Sequence, residues 1–112
     1  MKLLAKLSRE KQKTLRRVTN MLISKLSKLH SHPEYGGKII GQMTEFDLSK
    51  NGIWQGTFDE LKQDIIKNGI QTPLEIDKFE SGELNLKNGH HRAVIAIQIG
   101  LISVPVVIKE GN

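Results

Sequence analysis

The sequence predicts a small α/β (α+β) domain of order β-α-β-β-α-β, preceded by a basic N-terminal helical segment. Three observations carry this reading. Thr57 to Gly69 has the apolar spacing, the start and the stop of an amphipathic helix. Two short β-prone segments flank the turn Glu80–Glu83, and a second helical pattern, His90 to Gly100, runs into the β-prone stretch "SVPVVIKE". With 112 residues the chain has room for one domain and one modest core. Aromatic residues make up only 4% of it, so that core must be built from Ile, Leu and Val. Residues 1–37 read as an amphipathic arm and linker, and 38–112 as the domain.

In chain order, Met1 to about Leu29 reads as one or two helices. Leu15, Val18, Leu22, Leu26 and Leu29 recur at helical spacing, and Leu4 and Leu7 begin a similar stripe. "HSHPEYGG" breaks that pattern and reads as a solvated loop, with too few ligands around His30 and His32 for a metal site. "KIIGQMTEFDL" reads as the first strand, its apolar positions being Met43, Phe46 and Leu48. Asn51-Gly52 marks a turn. In the helix that follows, Thr57 and Glu60 form a capping box, Phe58, Leu61, Ile65 and Ile66 form the buried stripe, and Gly69 is the stop. Two hairpin strands come next, with Leu74 and Ile76 against Leu84 and Leu86. A short helix ending at Gly100 and a last strand complete the order.

Charge is unevenly spread. Residues 1–30 carry nine basic residues and one acid, a net +8, whereas the other 82 residues are net −3. The segment therefore suits a phosphate backbone, with Lys6, Arg9, Lys13, Arg16 and Arg17 as the expected contacts. It also suits a leucine stripe packed on the domain or on a second copy, which would make a homodimer through the N-terminal helix, or an anionic membrane surface. Trp54 is placed either to stack on a base or to cover the edge of the core. The absence of cysteine excludes disulfides, thiolate metal sites and cysteine nucleophiles, and fits a cytoplasmic protein. No apolar stretch approaches the ~20 residues of a transmembrane segment, and no signal peptide is expected.

The densest chemistry lies in "NGHHRAVIAI". Gly89 stands where a strand gives way to a helix, and it permits positive φ and a close backbone approach. The first amides of the helix lack intrahelical acceptors and its dipole favours an anion. Arg92 adds a fork matched to phosphate oxygens, and His90 and His91 add donors that titrate near neutrality. Cations at a helix N-terminus oppose the dipole, so a bound anion is the expected compensation.

Three stretches in order, "ELKQDIIKNGIQTPL", "NGHHRAVIA" and "QIGLISVPVVI", resemble the ParB/sulfiredoxin-like superfamily over about residues 43–110. The resemblance implies that fold, with a phosphate or nucleotide site at Asn88, Gly89, His90, His91 and Arg92, bordered by Gln71 and Thr72. In ParB proteins the Gly-x-x-Arg box helps bind cytidine triphosphate. Here it holds a single arginine, and no helix-turn-helix domain is expected after Ile108. Sulfiredoxin has a reactive cysteine where this chain has His90, so sulfinic-acid reduction by that route is excluded. The Gly-His-His-Arg spelling is similar to ParB-like proteins that bind adenine nucleotides, including a free-serine kinase in which an Asp precedes the box. Asn88 takes that place here.

The expectations are therefore a nucleotide or DNA as partner, with ATP or CTP and Mg²⁺ as cofactors. The leading function is a DNA-acting, ParB-like nuclease or nucleotide-dependent DNA binder. The alternatives are an ATP-dependent small-molecule kinase or ATPase, and a degenerate domain that binds a partner protein. His90 and His91 are the expected acid–base groups. The required carboxylate is expected among Glu45, Asp47, Asp59, Glu60 and Asp64, with Glu60 and Asp47 the leading candidates for catalysis.

Overall fold

The C-terminal strand, Ser103–Glu110, organises the sheet because it pairs on both sides. In the computed structural model, which describes residues 17–49 and 55–110, this strand is β4. It runs antiparallel to β1 (Val18–Leu22) and parallel to β2 (Leu74–Lys78), and β2 runs antiparallel to β3 (Leu84–Asn88). The strand order is β1-β4-β2-β3 in one mixed sheet. The helices are α1 (Ile23–Leu26), α2 (Glu45–Ser49), α3 (Gln55–Asn68) and α4 (His90–Gln98). Short 3-10 turns at Pro33–Tyr35 and Ile40–Gln42 fill the connection between α1 and α2.

Period-two alternation decides which face is buried. Leu74, Ile76, Leu86, Val104 and Val106 turn to one side and join Ala93, Val94, Ile95 and Ala96 of α4 in the core. The other face carries Glu75, Asp77 and Lys109, with Lys109 Nζ 3.0 Å from Glu75 Oε1. The α4 positions are small or β-branched, which lets a nine-residue helix lie close on the strands. Its end is closed as expected. Gly100 takes φ 76, and Leu101 N donates to Ala96 O at 3.0 Å. Gly69 closes α3 in the same way, at φ 76, with its amide on Ile65 O at 2.8 Å.

Several expectations are corrected. Val18–Leu22 is a strand, not helix, so residues of the expected arm enter the sheet. A spacing of four residues returns to the same side of a strand as well as of a helix, so Val18 and Leu22 fit both patterns. Pairing with β4 decides between them. The segment taken for a first strand, including Glu45 and Asp47, instead forms a 3-10 turn and α2. Asp47 Oδ2 accepts from Thr44 N at 2.8 Å, while Thr44 Oγ1 accepts from Asp47 N at 3.3 Å. Thr44 and Asp47 thus form a capping box at the start of α2. α3 begins at Gln55, which places Thr57 inside it.

Two packing details also differ. Ile66 is 54% exposed, because the apolar face of α3 follows Phe58, Leu61 and Ile65 and leaves Ile66 to one side. In the hairpin, Ile76 pairs with Leu86 but Lys78 stands opposite Leu84, after an irregularity between Glu75 and Ile76. Leu74 aligns with Val106 instead. Residues 1–16 and Trp54 lie outside the described residues, as do the contacts expected of Lys6, Arg9, Lys13 and Arg16.

These positions separate under mutation. Ile76→Ala should lower the free energy of unfolding by about 2–5 kcal/mol in urea. Ile66→Ala should change it by no more than about 0.5 kcal/mol.

Candidate functional site

Gly89 makes the turn from β3 into α4 at φ 102, ψ 24, a conformation that costs other residues heavily. The space is closed as well. A Cβ there would stand 2.8 Å from Leu74 Cγ and 3.2 Å from Arg92 Nη1. The first turn of α4 therefore rests directly on the start of β2. Ala93 N donates to Gly89 O at 2.8 Å. The amides before Ala93 precede the first i−4 carbonyl that a helix can supply.

Beside this turn lies a cleft of about 230 Å³, lined by Glu34, Tyr35, Leu61, Lys87, Asn88, Gly89, His90, His91 and Arg92. One wall is the loop His30–Gly37, expected as solvated and in fact docked. Leu86 N donates to His30 O at 2.9 Å, and His32 N donates to His90 Nε2 at 3.0 Å. His90 is only 3% exposed, and its ring stacks on Tyr35 with centroids 4.2 Å apart. Its Nε2 accepts, so the neutral ring carries its proton on Nδ1. Burial, with His32 and His91 adding to it, pushes the imidazole down from 6.5 to about 4. His90 is therefore a buried neutral support at pH 7.

His91 is also held down, first by burial and then by the Arg92 charge, and its ring lies 6.4 Å from that of Phe58. Both histidines thus favour the neutral form. The cations of the cleft are Lys87 and Arg92, set against the carboxylate of Glu34. Arg92 is partly buried, which lowers its pKa while Glu75 acts the other way, and it remains a cation. Its Nη1 reaches Thr72 O at 3.3 Å and Pro73 O at 3.4 Å. Thr72 thus enters the site through its carbonyl, and Gln71 beside it is exposed. Asn88 Nδ2 donates to Glu75 Oε1 at 3.2 Å, and Lys109 and Asn88 together hold that carboxyl below its usual range.

The structure brings Asn88, Gly89, His90, His91 and Arg92 together and leaves the expected carboxylates elsewhere. Asp47 caps α2 and pairs with Lys38 at 3.1 Å, and the Thr44 amide and Lys38 lower its pKa. Asp59, Glu60 and Asp64 lie along α3, where Asp64 Oδ1 accepts from Asn68. None of these lines the cleft. Arg17 is exposed at the edge of the described residues. Glu34, Tyr35 and Lys87 were not singled out from sequence. Glu34 and Tyr35 lie more than fifty residues before the box, and the aromatic close to Pro33 was the one available signal. Among the described residues, no group of three or more His, Asp or Glu is arranged to hold a metal ion. No described helix is long and apolar enough to cross a membrane.

Two measurements check this geometry. Gly89→Ala should lose about 1–2 kcal/mol of stability from backbone conformation alone, and more from the overlap with Leu74, read by urea unfolding. His90 has a lower pKa in the folded chain than when unfolded, so the unfolded chain binds more protons between pH 6.5 and about 4. Its contribution is complete above pH 6.5, falls on acidification and levels off below about 4, amounting to about 3 kcal/mol. In His90→Gln the pH dependence of stability across that window should be shallower.

No protein-family model matches the sequence, and no curated protein does. Solved structures do. Sulfiredoxin from Arabidopsis thaliana superposes with TM-score 0.58 at 17% identity, over 85% of this chain and 86% of that one. The C-terminally truncated chromosome-partitioning protein ParB from Caulobacter crescentus, complexed with CTP-gamma-S, gives 0.58 at 18% identity. The match covers 86% of this chain and 46% of ParB. A Pnob8-like ParB-N domain gives 0.56 at 16%, over 86% of this chain and 30% of the other. This chain thus spans less than half of either ParB chain. The fold of this protein is ParB/sulfiredoxin-like.

Proposed function

We propose that this domain binds the phosphate groups of a nucleotide at the start of α4 and acts on DNA. The observation that carries the reading is Gly89, held at φ 102 against Leu74, with Lys87 and Arg92 beside the same cleft. Helix-start amides and two cations make a good environment for phosphate oxygens. Size narrows the choice. A cleft of about 230 Å³ is smaller than the ~300–1,000 Å³ of sites that enclose a drug-sized ligand. It suits a phosphate chain, with sugar and base lying outside. The ParB structure of like fold is a complex with CTP-gamma-S, which makes CTP the first nucleotide to try. DNA as the target rests on the +8 charge of residues 1–30.

A second reading, an ATP-dependent phosphotransferase or ATPase, is favoured by Glu34. Among the described residues it is the carboxylate that lines the cleft, where it would serve as a base or as an oxygen ligand for Mg²⁺. In that case Glu34→Gln abolishes turnover and leaves nucleotide binding in place.

Thermal unfolding with CTP, ATP, GTP and ADP, each with Mg²⁺, tests the nucleotide site. At 100 times its dissociation constant, the bound nucleotide should add about 2.7 kcal/mol, or on the order of 10 °C. Arg92→Ala should start from a lower midpoint, because the Thr72 and Pro73 carbonyls lose their donor. The increment due to nucleotide is the quantity to compare, and it should vanish there and shrink in Lys87→Ala. Equal increments in the wild type and both variants would move the site elsewhere. On DNA, replacing Lys6, Arg9, Lys13 and Arg16 with Gln should flatten the plot of log affinity against log salt by about 0.9 for each phosphate no longer neutralised.

A further inference from the structure

The two edges of the sheet are not alike. The outer edge of β3 is covered, since Leu86 N donates to His30 O and His30 bridges Asn85. Among the described residues nothing pairs with the outer edge of β1. Natural edge strands are usually blunted by a charge, a proline or a bulge. Val18–Leu22 has the sequence VTNML and carries none of these.

Its backbone groups can be assigned. Ile23 N donates to Ile102 O at 2.8 Å, one residue beyond the ladder pair of Leu22 with Ser103. Pro105, opposite Asn20, has no N–H to give. Antiparallel bonding alternates, so Thr19, Met21 and Ile23 bond inward to β4, while Val18, Asn20 and Leu22 present N–H and C=O outward. The side chains divide in the same way. Met21 is buried with Val104, whereas Val18 and Leu22 lie on the opposite face, 49% and 57% exposed.

We infer that β1 is the contact of a symmetric dimer, pairing antiparallel with β1 of a second copy about a two-fold axis at Asn20. This register sets Val18 against Leu22 of the other copy, and Leu22 against its Val18, so both exposed apolar side chains gain a cross-strand partner. It also lets each of the three outward residues exchange an N–H and a C=O across the axis. A shift of two residues either way sets Val18 or Leu22 against Asn20. A shift of one matches outward groups with inward ones. The pattern is self-complementary in one register, as an isologous contact requires.

Sedimentation equilibrium of the full chain should show a mass that rises with concentration from 12.6 kDa toward twice that value. Val18→Lys combined with Leu22→Lys should return it to 12.6 kDa at the same concentrations. The register has its own test, because the chain contains no cysteine. In a hydrogen-bonded antiparallel pair the Cα atoms are ~5.5 Å apart, within the range that a disulfide spans. Asn20→Cys should therefore give a cross-linked dimer on mild oxidation, and Thr19→Cys, which faces Met21 of the other copy, should not. A 12.6 kDa mass at every concentration, with Asn20→Cys uncross-linked, would overturn the inference. So would a dimer that survives the double lysine substitution, or cross-linking through Thr19→Cys instead.

Discussion

The near wall of the cleft is tied to the box by one hydrogen bond, from the His32 amide to Nε2 of His90. A neutral imidazole can accept it and an imidazolium cannot, so the near wall of the cleft requires His90 to stay unprotonated. Burial under Tyr35 keeps it so across the physiological range. The same contact turns a loop containing proline and paired glycines into a wall that carries Glu34 and Tyr35. His90 therefore belongs to the core as much as to the site. Its neighbour in the box, His91, faces Phe58 and is less buried.

Gly89 supplies the second constraint. It lets α4 start directly above Leu74, so the amides of the first turn, the Arg92 guanidinium and the end of β3 come together. Arg92 has two duties under the proposed function. It ties Thr72 and Pro73 to α4 through their carbonyls, and it faces the cleft as a cation. A phosphate bound there would thus be linked to the segment joining α3 to β2. Lys87 ties no backbone segment in that way among the described residues, which makes it the cleaner probe of charge.

What could be read from sequence follows the range of the forces involved. Gly69, Gly89 and Gly100 were legible because a left-handed residue at an element boundary has few alternatives. The box was legible because its residues are adjacent in the chain. β1 was not, since Val18 and Leu22 satisfy helical and extended spacing alike, and only pairing with β4, more than eighty residues away, decides between them. The segment Thr44–Asp47 held a capping box that apolar spacing at Met43, Phe46 and Leu48 masked. Glu34 could not be placed, because its nearness to Arg92 arises from the docking of the loop through His30 and His32. Carboxylates near the box in sequence were the natural guess, and they lie elsewhere.

The central claim is that phosphate is held at the start of α4. Backbone amide chemical shifts during a titration with inorganic tripolyphosphate test it most directly, because the probe has no base or sugar to bring its own contacts. The account predicts that the largest shifts fall on Gly89, His90 and His91, with Lys87 and Arg92 next, and that they saturate together. Shifts confined to residues 1–17, or spread without saturation over the surface lysines, would contradict it and leave the cleft without a phosphate to bind.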